Sequence, residues 1–211
     1  MLIIKNIKIK TENGYLTTVN LKRFVGLELK LLLGKQEQKQ YIALLTYLIN
    51  YFIDYKPVIN DGQTIAYHSW LLKFVIVANS IINLHEVQPD GKGFVEGGDH
   101  AIKVIIDQQQ ECIKYDIIPL FPLFSQLIVI SEGVFDGKDI DAVRYPSPNN
   151  MTGWWLTTEL YDGDISSLQT IHYYHVVFKR PDLIKYLALP FGFRILTGEP
   201  EKIWFDEKVL L

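Results

Sequence analysis

The spacing of the apolar residues constrains the fold most. Apolar residues alternate with polar ones in most segments and recur at helical spacing in only a few. Leu27, Leu29 and Leu31 alternate with charged residues, which is typical of a strand. From Gln38 to Tyr55 the apolar residues recur every three or four positions, which predicts a helix with one wide apolar face. That face consists of Ile42, Leu45, Leu48, Ile49, Phe52 and Ile53. Runs of strands interrupted by two or three helices, without a regular strand–helix–strand repeat, predict an α+β fold.

The first half of the chain carries further turn and cap signals. Asn13 and Gly14 predict a hairpin between one strand over residues 1–10 and another over 15–19. Asp99 follows two glycines and predicts the N-cap of a second helix that reaches about Ile113. The other predicted elements of this half are strands at 64–74 and 81–87, a break at 78–80 and a turn at 88–93.

An apolar segment with two prolines, residues 115–125, predicts the boundary between two sub-domains, since such a segment suits neither a central strand nor a flexible linker. The two sub-domains are then residues 1–115 and 116–211. Each has a mixed or antiparallel sheet, and the chain has two or three packed helices in total. Predicted elements after the boundary are strands at 126–131, 141–145, 153–159, 172–178, 191–196 and 202–205, and a short helix from Pro181 to Leu187.

Charge and composition exclude several classes of protein. Residues 1–115 hold 13 Lys/Arg and 11 Asp/Glu, whereas residues 116–211 hold 8 and 13. The acidic half does not suit nucleic acid, which needs a basic patch, but it suits a basic protein partner. The two most apolar stretches, 41–55 and 117–130, are interrupted by polar residues or prolines and fall short of the roughly 20 apolar residues of a membrane span. We therefore expect a cytoplasmic protein that does not bind membranes.

No group of residues predicts catalysis or a bound metal. His172 and His175 have the spacing of metal ligands, with Asp162 and Asp164 nearby, but on a strand they would point to opposite faces. Cys112 lies late on a predicted helix, where a buried structural role is expected. The sequence predicts no cofactor, no metal and no catalytic residues.

Aromatic residues are concentrated near the end of the chain, beside acidic turns. Trp154 and Trp155 are adjacent on a predicted strand, so their side chains face opposite sides and only one can enter a given core. The other is expected at a surface, where an aromatic with a charged rim is a common anchor for protein recognition.

Several short motifs in this half occur in a recognisable order. They are Met151-Thr-Gly-Trp-Trp155, Tyr174-His175, Leu189-Pro-Phe-Gly-Phe-Arg194 and Trp204-Phe-Asp-Glu207. In this order they resemble the immunity protein thirty-three-like domain, over about residues 126–208. The resemblance implies a non-enzymatic antitoxin, which neutralises a toxin delivered between competing bacteria, and it carries over no catalytic residue.

We therefore predict an immunity protein that binds and blocks a cognate toxin, which a basic, nuclease-like toxin would suit. The predicted toxin-binding residues are Trp154, Trp155, Glu159, Asp162, Asp164, Asp206 and Glu207. The motif residues expected to be structural are Gly153, Pro190, Gly192, Arg194 and Trp204, with Arg194 paired to Asp206 or Glu207 and Gly192 in a tight turn. Two alternatives remain open: a non-catalytic regulatory module with a house-keeping partner, and a hydrolase that uses His172, His175 and neighbouring carboxylates. The oligomeric state is not predicted.

Overall fold

The structure is a computed structural model that describes residues 2–77 and 80–211. The chain forms two compact units, Met1–Ile105 and Ile106–Leu211. The division falls inside a helix, ten residues before the predicted boundary, and the predicted sub-domains, residues 1–115 and 116–211, stay a prediction. Most of the predicted break at 78–80 lies outside the described residues. Each unit contains its own open sheet with helices, which confirms the predicted α+β class.

The first unit is built around an eight-stranded mixed sheet. Its strands are β1 (Leu2–Ile4), β2 (Ile7–Glu12), β3 (Tyr15–Val19), β4 (Glu28–Leu32), β5 (Thr64–Tyr67), β6 (Trp70–Val77), β7 (Ile81–Val87) and β8 (Phe94–Glu96). The helices are α1 (Lys22–Val25), α2 (Gln38–Tyr55) and α3 (Asp99–Ile113), which continues into the second unit. The strand order is β1-β2-β3-β4-β7-β6-β5, with β8 also paired to β7. The β4–β7 pair is parallel and the other pairs are antiparallel.

The first residues form two hairpins where the sequence predicts one. The predicted hairpin at Asn13 and Gly14 is confirmed, since Glu12 pairs with Tyr15. The single strand predicted over 1–10 is wrong, because Lys5 and Asn6 adopt positive φ angles of 43° and 68° and form a two-residue turn between β1 and β2. The predicted strand over 64–74 is likewise a hairpin of β5 and β6, with His68 at a φ of 50°.

Helix α2 has the bounds that the sequence predicts, and its N-terminus is capped by residues next to it in the sequence. The side chains of Glu37 and Gln40 bond each other's backbone N–H groups in a capping box, and Lys56 ends the helix in the left-handed conformation. The buried residues of α2 are Tyr41, Leu44, Leu45, Leu48, Ile49 and Phe52. The apolar face is therefore centred slightly away from the predicted one, with Ile42 and Ile53 half-buried at its margins.

The N-terminus of α3 is capped by a distant carboxylate. Glu86 of β7 accepts hydrogen bonds from the backbone N–H groups of His100 (3.0 Å) and Ala101 (2.6 Å). Asp99, the predicted cap, instead accepts the backbone N–H of Lys35 at 2.9 Å and the hydroxyl of Tyr41. The predicted helix is thus confirmed and its predicted cap is wrong, because the residue that satisfies the N–H groups comes from a neighbouring strand.

The second unit contains a six-stranded mixed sheet. Its strands are β9 (Leu127–Ile130), β10 (Asp141–Arg144), β11 (Met151–Thr157), β12 (Gln169–His172), β13 (Phe193–Leu196) and β14 (Lys202–Phe205), in the order β12-β9-β11-β10-β13-β14. Its own helix is α4 (Tyr173–Lys179), and 3₁₀ turns occur at Val134–Asp136, Ile165–Ser167, Ile184–Tyr186 and Glu207–Leu210. The β9–β11 pair is parallel and the others are antiparallel.

Two predicted elements of this unit are corrected. The strand predicted over 172–178 is the helix α4, which follows the short strand β12. Its tyrosine, histidine and valine residues are weak helix formers, so tertiary packing of the buried Tyr173, Val176 and Val177 decides the conformation. The helix predicted from Pro181 to Leu187 contains only the 3₁₀ turn Ile184–Tyr186. No helix in the described parts of the chain combines the length and apolar content needed to cross a bilayer.

Candidate functional site

The sheet of the second unit has a buried inner face. Residues of adjacent strands that stand directly opposite each other share a face, so the strand register assigns each side chain. The inner-face residues are Ile128, Ile130, Ala142, Arg144, Trp154, Leu156, Phe193 and Ile195, all buried. The 3₁₀ turn at Ile184–Tyr186 and its flanking residues pack near this face, because the Trp154 indole N–H donates to the Leu187 carbonyl at 2.8 Å.

The opposite side of the same sheet, which we call the outer face, carries exposed and half-buried side chains around the buried Val129 and Val143. One row of cross-strand neighbours on it consists of Thr170, Val129, Trp155, Val143, Arg194 and Trp204. The next row consists of Thr157, Asp141, Leu196 and Lys202. Trp204 is 38% exposed and Tyr145, which follows β10, is 39% exposed. The Tyr145 and Trp155 rings meet edge to face at 5.6 Å.

The two adjacent tryptophans therefore occupy different environments. Trp154 is completely buried, which excludes it from a binding surface and corrects its place among the predicted toxin-binding residues. Trp155 is half-buried on the outer face, which agrees with the expectation that one tryptophan of the pair faces a surface. Aromatic side chains in such positions supply large contact areas to partners.

Arg194 organises the outer face beside the edge strand β14. Its guanidinium bonds the carboxylate of Asp206 at 3.1 Å and lies 5.7 Å from the centre of the Trp204 ring. The pairing of Arg194 with Asp206 confirms one of the two predicted partners. Asp206 also accepts the backbone N–H of Lys208, while Glu207 is exposed in the last 3₁₀ turn.

Three residues of the recognised motifs shape the backbone around this face. Gly153 has a φ of 82°, and a Cβ there would overlap the carbonyl oxygen of Tyr145. Gly192 has a φ of 90°, and its Cβ would lie 2.5 Å from the Phe205 ring. The carbonyl of Pro190 accepts the backbone N–H of Phe193 as the chain turns into β13. Only glycine fits the first two positions without strain.

The three predicted acidic residues that follow β11 lie in two places. Glu159 bonds Lys138 at 2.6 Å, and this contact lowers the pKa of the Glu159 carboxyl below its ordinary value. Asp162 and Asp164 lie in the exposed loop after β11, where each accepts a nearby backbone N–H. Hydrogen bonds from Ser166 lower the pKa of Asp164. These two aspartates shape their own loop, whereas Glu159 lies at the end of the outer face.

A cleft of about 590 Å³ opens at that end of the outer face. It is lined by Gly137, Lys138, Asp139, Ile140, Asp141, Thr157, Thr158, Glu159, Tyr161 and Leu196. Sequence reasoning missed Asp139, Asp141, Tyr145 and Leu196. The alternation of Asp139 and Asp141 with the buried Ile140 and Ala142 was a signal that both aspartates face outward.

The two histidines named in the hydrolase alternative have different surroundings. His172 precedes α4 and its Nδ1 lies 3.1 Å from the carbonyl oxygen of Ser125, while His175 contacts the Tyr174 ring. Burial, together with His172 and Lys179, lowers the pKa of His175. Residues 2–77 and 80–211 contain no group of three or more His, Cys, Asp or Glu that could hold a metal ion.

Cys112 is buried, and its thiol lies 3.6 Å from the carbonyl oxygen of Ala188. Burial, with a smaller contribution from Glu111, raises the pKa of this thiol to about 11. A thiol with so high a pKa is protonated at neutral pH and is a poor nucleophile. The geometry agrees with the structural role predicted for this cysteine.

Comparison with known proteins gives one match. No curated protein and no solved structure matches the chain significantly. The family model of the Imm33-like domain matches residues 107–206. The match begins within α3, earlier than the motifs indicate, and it contains the outer face, Arg194 and Asp206. The resemblance read from the motifs is thereby confirmed: residues 107–206 of this chain are similar to the Imm33-like domain.

Proposed function

We propose that this protein is an immunity protein, whose Imm33-like domain binds a cognate bacterial toxin in the cytoplasm and blocks it by occlusion. The observation that carries the proposal is that the matched residues 107–206 present an aromatic sheet face at the surface. The family is generally non-catalytic, and a blocking role needs only a surface that binds. The chain's role is accordingly proposed to be that of a binding protein.

The outer face has the composition of a recognition surface. Trp155, Tyr145 and Trp204 supply aromatic contact area, and Arg194 adds a guanidinium held by Asp206. Tryptophan, tyrosine and arginine are the residue types most often found as hot spots of protein interfaces. From the residues predicted earlier we retain Trp155, Glu159, Asp206 and Glu207 for contact, and Asp162 and Asp164 for the acidic rim.

The proposal is tested by co-expressing the full chain with the toxin encoded by a neighbouring gene. Wild-type protein should restore growth, and Trp155→Ala should protect less at equal expression, because it removes an anchor of the interface. Tyr55→Ala is the matched control, since Tyr55 is an aromatic residue of the first unit that is 75% exposed. Loss of protection by the control alone would place the binding surface on the first unit.

The same experiment separates the alternatives. A regulatory module with a house-keeping partner would give no protection against the toxin, although the protein would be folded and present. If the chain protected cells by hydrolysis through His172 and His175, replacing either histidine would abolish protection. If it protects by binding through the outer face, both histidine variants should still protect. Protection that requires Trp155 and tolerates His175→Gln supports the immunity role.

A further inference from the structure

We infer that the cleft at the end of the outer face receives a lysine or arginine side chain from a basic surface of the toxin, while Trp155 packs against the same surface. The inference rests on the proposed function, because it names the chemistry of the partner that the outer face would bind. It concerns the residues that line the cleft, which are brought together from three strands and two loops.

The lining of the cleft suits a side chain with an apolar stem and a cationic head. Leu196 supplies apolar surface. The carboxylates of Asp139, Asp141 and Glu159 and the hydroxyl groups of Thr157 and Tyr161 supply acceptors. Lysine and arginine commonly place their methylene groups on apolar surface and direct the charge to polar groups.

The charge balance of the cleft leaves two carboxylates available. Lys138 is the cation among the lining residues, and its ammonium bonds Glu159 at 2.6 Å. Within residues 2–77 and 80–211, the side chains of Asp139 and Asp141 have neither a hydrogen bond nor an ion pair, and both residues are exposed. The lining therefore carries a net charge of −2 at neutral pH. A cation from a partner would be the first counter-ion of these two groups.

The second unit as a whole is also negatively charged, like the cleft. Residues 106–211 hold 9 Lys/Arg and 15 Asp/Glu, whereas residues 1–105 hold 12 and 9. The net charges are thus −6 and +3, which sum to the −3 of the chain. A negative field on the unit that carries the cleft accelerates the approach of a basic partner and disfavours an acidic one.

The rim of the cleft is held in place without a partner. The buried guanidinium of Arg180 donates to the carbonyls of Val134 (2.7 Å) and Lys138 (3.0 Å). Ile140 exchanges backbone and side-chain hydrogen bonds with Thr197 across the base of the rim. A rim that is already ordered loses little conformational entropy when a partner binds.

The position of the cleft connects it to the aromatic part of the outer face. Thr157 lines the cleft and lies two residues from Trp155 on the same side of β11, a separation of about 7 Å. Asp141 stands opposite Thr157 on the neighbouring strand. One partner surface can therefore place an apolar group on Trp155 and a cation between the aspartates.

The test is the kinetics of binding of the full chain to the purified toxin, measured between 50 and 500 mM salt, which we choose to span strong and weak screening. The variant is Asp139→Asn with Asp141→Asn, which keeps the shape of both side chains. The control is Glu12→Gln with Asp90→Asn, which removes the same charge from exposed carboxylates of the first unit. Thermal unfolding checks that both proteins fold, as expected because neither replaced cleft carboxylate bonds another group.

We expect the cleft variant to raise Kd at least about tenfold at low salt and to flatten the salt dependence of the association rate, since charged contacts govern both. The control should stay within about twofold of wild type. A cleft variant that binds like wild type, while wild type binds tightly, overturns the inference and leaves the proposed function standing. A toxin that wild type does not bind overturns the proposed function itself.

A charge exchange makes the result specific to the cleft. Asp141→Lys should weaken binding further, and replacing one surface lysine or arginine of the toxin by glutamate should restore part of the loss only in this variant. If every such toxin change weakens the variant and wild type equally, no cation of the toxin enters the cleft, and the inference is wrong.

Discussion

The inner and outer faces of the second sheet each place an arginine beside a tryptophan, and the two pairs differ in what surrounds them. On the inner face Arg144 is buried beside Trp154, and its guanidinium donates to the carbonyls of Thr152, Leu120, Leu187 and Leu189. On the outer face Arg194 bonds the carboxylate of Asp206 beside the exposed Trp204. The first pair joins irregular segments to the sheet, whereas the second faces solvent and is available to a partner.

The contrast teaches that residue type alone does not assign a role in this domain. Trp154 and Trp155 are adjacent and chemically identical, yet only Trp155 can contact another protein. Burial gives the inner pair a large share of folding stability, because lost packing and unsatisfied carbonyls are costly in an interior. Exposed contacts contribute little to folding, so replacing them should affect binding selectively.

The largest expected difference lies between the two tryptophans. Trp154→Ala should lower the free energy of unfolding by about 3–5 kcal/mol, because it removes a buried indole and leaves a cavity. Trp155→Ala should lower it by about 1 kcal/mol or less, since this side chain is only half-buried. Urea unfolding of both variants measures the difference. Equal losses would contradict the assignment of the two faces.

The two arginines should differ in the same direction. Arg144→Met should cost about 3 kcal/mol of unfolding free energy, because the buried carbonyls that accept from the guanidinium lose their donor. Arg194→Met should cost about 1 kcal/mol or less, because the ion pair with Asp206 is partly exposed. Denaturant titration at neutral pH tests both. An Arg144→Met protein as stable as wild type would show that the carbonyls find other donors.

The buried thiol of Cys112 should make the stability of the fold depend on pH. Since burial raises the pKa of Cys112 from 9 to about 11, the folded state favours the protonated thiol. This contribution is complete below pH 9 and is lost as the pH rises through 11, which would lower stability by up to about 3 kcal/mol. Cys112→Ala should show a smaller loss over the same window. An identical loss in both proteins would assign the effect to other groups, such as the tyrosines.

The smallest expected effect on folding is that of replacing Glu159, at the end of the outer face. Glu159→Gln should leave the free energy of unfolding essentially unchanged, because its ion pair with Lys138 is exposed. Chemical denaturation against wild type measures it. A clear loss of stability would give Glu159 a structural role and would contradict the distinction between the two faces.

The sequence predicts the elements whose pattern is long and local. Helix α2 spans 18 residues with a sustained apolar period, so its bounds are found directly. Helix α4 has only seven residues, and its tyrosines and valines suit a strand equally well, so packing decides. The turns at Lys5–Asn6 and at His68 were missed because positive φ angles usually indicate glycine or asparagine, and only Asn6 gave that signal.

The sequence predicted the kind of site, an aromatic surface beside acidic residues, but it did not identify all of the residues that form it. Alternation along β11 shows that one of two tryptophans faces outward, but only the packing of Trp154 against Leu187 shows which one. Asp139 and Asp141 join Glu159 and Leu196 in one cleft because β10, β11 and β13 are adjacent in the sheet. That adjacency depends on strand order, which the spacing of residues does not specify.

We propose that the outer face of the second sheet is the surface that binds the toxin. The most direct test is the dissociation rate of the toxin complex formed by Trp155→Ala, compared with wild type and with the Tyr55→Ala control. We predict a rate at least about 30-fold faster for Trp155→Ala, which corresponds to about 2 kcal/mol, and an unchanged rate for the control. A folded Trp155→Ala protein that releases the toxin as slowly as wild type would contradict the claim.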